Sequence, residues 1–123
     1  MQTKKTKRTK PFSANNASRK KLEAEGWTVG MVEQRIPHCF ITKDLWGFAD
    51  LACCAVGRGN LMVQATGGGN LNARAAKIRA EARAGIWLAA SPFNRIQVHD
   101  WRKRAGQKER ECVILEITKQ DEK

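Results

Sequence analysis

Residues 47 to 85 confine this chain to few folds. FITKDLWGFADLACCAV, clearest as a strand over 47–56, and NLMVQAT at 60–66 flank the turn GRGN and read as a β-hairpin. A glycine triplet then breaks the strand pattern. The alanine-rich LNARAAKIRAEARAG after it reads as a helix stopping at Gly85. Three polar residues interrupt the hairpin: Asp50 on its first strand, Gln64 and Thr66 on its second. A carboxylate, an amide and a hydroxyl are costly to bury without partners or a task.

Side chains alternate along a strand, so Gln64 and Thr66 share a face. A three-residue loop of Arg58, Gly59 and Asn60, with Gly57 opposite Leu61, sets Asp50 beside Thr66 and Gly68 and within reach of Gln64. A two- or four-residue loop sends Asp50 to the other face. An acid and an amide on neighbouring strands offer oxygen ligands to a hard cation such as Mg²⁺.

The flanking sequence extends the sheet. SANNASRKKLEAEGW has N-cap candidates at Ser13 and Asn16 and a stop at Gly26, which makes a first helix. WTVGMVEQRI reads as one short strand closed by Pro37, IWLAA as a fourth strand, and RIQVHDW and ECVILEIT as the last two, joined by the charged loop RKRAGQKER. The expectation is an α/β (α+β) fold: a mixed central sheet flanked by helices, with extra C-terminal strands. A flexible basic arm at 1–12, one domain at 13–119 and a charged tail at 120–123 complete the organisation.

Charge points to the partner. Of a net +11, eight cations precede the first acid, Glu23: Lys4, Lys5, Lys7, Arg8, Lys10, Arg19, Lys20 and Lys21. Arg74, Lys77, Arg79 and Arg83 make the second helix basic as well. Such an arm suits a polyanion held by counterion release, so DNA or another nucleic acid is the expected partner. It lacks the bulky apolar residues that membrane insertion needs, and no apolar run approaches the ~20 residues of a membrane span. Without a secretory signal pattern, a cytoplasmic location is expected. The four cysteines form no CxxC pair, and reduced thiols are expected of them. His38 and Cys39, adjacent on an extended segment, point apart and form no catalytic pair. Trp46 lies beside the polar stretch, where it can pack in the rim or stack on a base.

The order of helix, strand, strand with GFAD, strand with VQAT and then helix resembles the αβββαβ core of the PD-(D/E)xK nuclease superfamily. It is most similar to small Holliday-junction-resolvase-like and Mrr-like members, many of them phage-encoded. The resemblance spans about residues 17 to 101. It implies a restriction-endonuclease-like core and a Mg²⁺- or Mn²⁺-dependent endonuclease acting on DNA, branched DNA included. It also implies Asp50 as the metal-binding Asp, Gln64 at the position of the second acid, and Thr66 where a catalytic Lys stands. Glu33, expected on the strand after the first helix, would add an acidic ligand, ahead of Glu23 and Glu25. Lys77 or Arg74 would replace the missing lysine, and Lys43 is a further candidate. Members that process branched DNA act as homodimers, and the pattern here decides neither for nor against one. Gln64 brings no charge and Thr66 no ammonium, so a decayed nuclease fold that binds nucleic acid or protein without cutting is the alternative. A basic RNA-binding protein unrelated to nucleases is the third reading.

Overall fold

The computed structural model describes residues 11–36 and 41–118. The arm cations Lys4, Lys5, Lys7, Arg8 and Lys10 lie outside the described residues, as do His38, Cys39 and the tail at 120–123.

Helix α1 (Ala14–Ala24) starts where Ser13 Oγ accepts the Asn16 amide at 3.2 Å. It stops before Gly26, whose φ of 98° suits glycine alone. Strand β1 (Thr28–Met31) follows, then β2 (Gln34–Ile36) and β3 (Ile41–Lys43), which pair with each other in a separate antiparallel ribbon. Strand β4 (Leu51–Ala55) and strand β5 (Gly59–Thr66) form the hairpin. Helices α2 (Leu71–Ala80) and α3 (Ala82–Ala90) cross over to β6 (Asn94–Arg102), and β7 (Glu111–Ile117) ends the described chain. The main sheet has the order β1-β4-β5-β6-β7, with β5 and β6 parallel and the other pairs antiparallel.

The expected mixed sheet with helices on both faces is therefore present. On one face Leu22 of α1 and Trp27 pack on Leu51, Cys53, Leu61 and Val63. On the other, Leu71, Ala75, Ile78 and Ala84 cover Met62, Ile96 and Val98. Burying each large side chain contributes about 1.5–3 kcal/mol. Arg58 seats α1 from below: its Nη1 donates to Glu25 O at 2.7 Å and its guanidinium lies 5.5 Å from the Trp27 ring centre.

Four expectations are corrected. IWLAA is helix, not strand. Glu81, with φ −86° and ψ 116°, breaks the alanine-rich run and caps a new helix by accepting the Arg83 amide at 3.0 Å. Gly85 then lies inside α3, and Ala84, Trp87 and Leu88 meet the core at helical spacing while Ile86 stays exposed. WTVGMVEQRI is two strands in two sheets, so Glu33 sits in the link between them. The single strand expected over FITKDLWGFADLACCAV is split into β3 and β4 in different sheets, because Leu45 and Ala49 bridge across a turn carrying Trp46 (φ 57°) and Gly47 (φ 80°). The hairpin loop is Val56-Gly57-Arg58, and Ala55 pairs with Gly59. Gly59 lies in the strand, and only glycine fits there because a Cβ would stand 2.3 Å from Phe93 O.

Candidate metal centre

The hairpin loop has the expected length but begins two residues early. Its parity keeps even-numbered positions on one face, while Asp50 moves from Gly68 to the end of the ladder. The last β4–β5 pair is Leu51 with Val63. One residue beyond it, the Asp50 amide donates to Val63 O at 2.9 Å and its carbonyl accepts from Val32 N at 3.0 Å. Asp50 Oδ2 accepts the Ala65 amide at 3.0 Å. The carboxylate thus takes over a ladder bond where regular pairing of the three strands ends.

Two more carboxylates converge there. One oxygen each from Glu33, Asp44 and Asp50 lies within 4.8 Å of the others. Asp44 had not been singled out in the sequence. It reaches the cluster because the Leu45 amide donates to Ala49 O at 2.9 Å, folding the chain back on itself. Glu33 is steadied by Asn15 of α1, whose Nδ2 donates to Oε1 at 3.2 Å. The expected acids Glu23 and Glu25 lie elsewhere: they pair with Arg19 and Lys21 toward the C-terminal end of α1.

Burial, the hydrogen bond to Asp44 and the Asp44 and Glu33 charges push the Asp50 carboxyl up to about 8, against the opposing Ala65 amide. Burial and Asp44 raise Glu33 as well, with Asn15 opposing. At neutral pH the cluster therefore keeps a proton that a divalent cation would displace.

Gln64 is a second unusual residue at this end of the sheet. Met62, two residues before it, faces the α2–α3 core, so alternation turns Gln64 and Thr66 to that side. Gln64 is 1% exposed, and neither Oε1 nor Nε2 has a partner among the described residues. An orphaned buried amide costs about 1–3 kcal/mol, a standing reason to expect a group that engages it. Three carboxylate oxygens this close together are the donor type that hard divalent cations take.

Beside the carboxylates is a cleft of about 560 Å³ lined by Val32, Lys43, Asp44, Leu45, Trp46, Gly47, Lys77 and Arg83. Asp44 belongs to both the cluster and the cleft. Lys77 and Lys43 are therefore brought to the candidate centre. Arg74, half-buried on α2, and Arg79, exposed on its last turn, are not among the lining residues. Lys20 and Lys21 ride on α1, across the sheet from α2, and Lys21 is paired with Glu25 at 2.6 Å. The basic residues proposed to grip a polyanion thus fall on both sides of the sheet.

Thr66 is buried and stands in register with Asp100 of β6, not Asp50. Asp100 holds the glycine triplet: its Oδ1 accepts from the Gly68 and Gly69 amides at 3.3 and 3.1 Å, and its Oδ2 from Arg102 Nε at 2.8 Å. Burial acts to raise its carboxyl, but Arg102 and the two amides outweigh that and hold it below the usual range. GGGN is thus a turn with its backbone drawn close, as expected of it. Phe12 lies at the same end of the strands, stacked under Arg110 at 4.1 Å and 6.3 Å from Trp101.

On the α1 face His99 is wholly buried, between Ser18 Oγ at 2.8 Å and Gln97 Oε1 at 2.9 Å. Trp101 Nε1 donates to the same Ser18 oxygen. Burial first, then Lys21, pushes this imidazole down to about 4 against Glu25, and both neutral ring nitrogens are taken by Ser18 and Gln97. Cys53 is buried and Cys54 exposed; burial raises the Cys53 thiol to about 12, which makes it inert. No described helix is long and apolar enough to cross a membrane.

Compared with protein-family models, curated proteins and solved structures, the chain matches none.

Proposed function

We propose that this protein is a divalent-metal-dependent nuclease that hydrolyses phosphodiester bonds in DNA. One observation carries the reading: three carboxylates from separate segments converge at a strand end beside a buried amide with no partner. The connectivity supports it too, since three antiparallel strands and a helical crossover to a parallel fourth are what the resemblance to PD-(D/E)xK nucleases implies.

In this reading Asp50, Asp44 and Glu33 hold a Mg²⁺ or Mn²⁺ ion, and Gln64 faces it as a neutral oxygen ligand. Such an ion activates water and offsets the charge that builds on a phosphate during hydrolysis. The Ala65 amide fixes the Asp50 carboxylate, and Asn15 fixes Glu33, so the donors are oriented before any ligand arrives. Lys77, exposed at the lip of the cleft, neutralises a phosphate oxygen, the work the missing lysine would do. Branched DNA, a homodimer and a cytoplasmic setting belong to this proposal as well.

The position of Thr66 favours a second reading. It offers no ammonium on the strand beside the cluster, so the chain could bind metal and DNA without cutting. Incubating plasmid, linear and four-way-junction DNA with Mg²⁺, Mn²⁺ or EDTA separates the two, with Asp50→Asn and Asp44→Asn as controls. Metal-dependent cutting lost in both variants is the expected result. Cutting that persists in Asp50→Asn refutes the assignment. Calorimetric metal binding and DNA binding with no cutting would establish the second reading instead.

A further inference from the structure

We infer that the cleft beside the carboxylates is a subsite for one unpaired nucleotide, so that the substrate is DNA with single-stranded character rather than intact duplex. The inference rests on the nuclease reading for the adjoining centre, but its own evidence is the cleft. Trp46 is the one non-glycine residue with positive φ among the described residues, at 57°. A bulky side chain held there is strained, and such strain collects at functional positions. The indole packs one side against the core, and Gly47 beside it also has positive φ.

The indole is also braced. Trp87 meets it edge-on at 6.4 Å and Phe48 tilts against it at 6.5 Å, yet Trp46 stays half-buried and lines the cleft. A rigid aromatic wall of this kind stacks a base of any identity. Around it stand three cations. Arg83 is committed to Glu81 at 2.8 Å, whereas Lys43 and Lys77 form no ion pair with the described residues. A volume of about 560 Å³ lies in the range of small-molecule pockets and admits one nucleotide. A base inside an intact duplex cannot reach such a wall without leaving its stack. Asp44 joins cleft and cluster, so a nucleotide stacked on Trp46 has its phosphates between Lys77 and the carboxylates.

The test is fluorescence anisotropy of a labelled oligothymidylate and of a blunt duplex of equal length, both in EDTA so that cutting plays no part. Wild type should prefer the single strand. Trp46→Leu should lose roughly tenfold in affinity for it, the scale of one base–aromatic stack, while duplex binding stays unchanged. Trp46→Phe, which keeps a ring, should recover most of the loss and guards against a folding defect. Lys77→Ala should reduce the salt dependence of single-strand binding by about 0.7 in log–log slope, one phosphate contact. Equal loss on both DNAs, or a Trp46→Leu that folds and binds the single strand like wild type, overturns the subsite. Failure of the metal reading would show separately, as Mg²⁺ binding that Asp50→Asn does not alter.

Discussion

Replacing Asp50 by Asn tests whether the carboxylates are held together against their own repulsion. The side chain is 4% exposed, and its carboxyl is raised from 3.8 to about 8 by burial, then by Asp44, with Glu33 contributing. A raised acid means that the folded state binds the proton more tightly than the unfolded one. Stability is therefore full below the unfolded value and falls as pH rises toward the folded one, by up to about 1.4 kcal/mol per pH unit. His99, ordinarily near 6.5, complicates the acid side, so the clean window runs from pH 6.5 to pH 8. Across that window the metal-free protein should lose about 1.5 kcal/mol, the slope bending near the folded pKa. Asn retains an oxygen for the Ala65 amide and cannot ionise, so Asp50→Asn should erase the slope and exceed wild type by about 2–4 kcal/mol at pH 8 in EDTA. Mg²⁺ at a thousand times its Kd should reverse the ranking, since it adds about 4.1 kcal/mol to wild type alone. Urea unfolding of both proteins across this range measures each quantity. An Asp50→Asn variant less stable than wild type in EDTA at pH 8, or one that keeps the slope, would refute the reasoning.

Acidification acts in the opposite sense at His99. Its folded value of about 4 lies below the ordinary 6.5, so the stability it contributes is complete above 6.5 and fades as pH falls toward 4; in acid unfolding scans the Asp50→Asn protein should lose stability from pH 6.5 downward, with Asp100 adding to the loss at lower pH. Gly59→Ala should cost about 3 kcal/mol or more or prevent folding, because the φ of 91° and Phe93 O both oppose a Cβ; thermal melts decide it. Asp100→Ala orphans the Gly68 and Gly69 amides and frees Arg102, and should lower stability by about 2–3 kcal/mol, with faster hydrogen exchange confined to the glycine triplet.

The mixed sheet and its helices were legible in the sequence, and of the candidate site so was the shared parity of Asp50 and Gln64. Asp50 and Gln64 could be paired from parity, because an odd hairpin loop keeps even positions together wherever it begins. The loop's position itself was hidden: Gly57 and Gly59 both have positive φ, and only the approach of Phe93 shows which of them is strand. Asp44 was missed because its place depends on the Leu45–Ala49 bridge and on a second small ribbon, which are tertiary facts. A retrospective signal exists in the acid six residues before Asp50, followed by a Trp-Gly turn. IWLAA misled because a five-residue apolar run fits a buried strand or a helix equally well. The deciding residue was Glu81, whose cap on Arg83 restarts the helix.

Phe12, clamped between Arg110 and Trp101, anchors the point where the described chain begins. That anchor stands beside Gly67, one residue past Thr66, at the strand end that bears Asp50. The entry to the fold and the three carboxylates therefore share one end of the sheet, so a change at Arg110 or Trp101 that frees Phe12 is felt at the edge that holds the cluster.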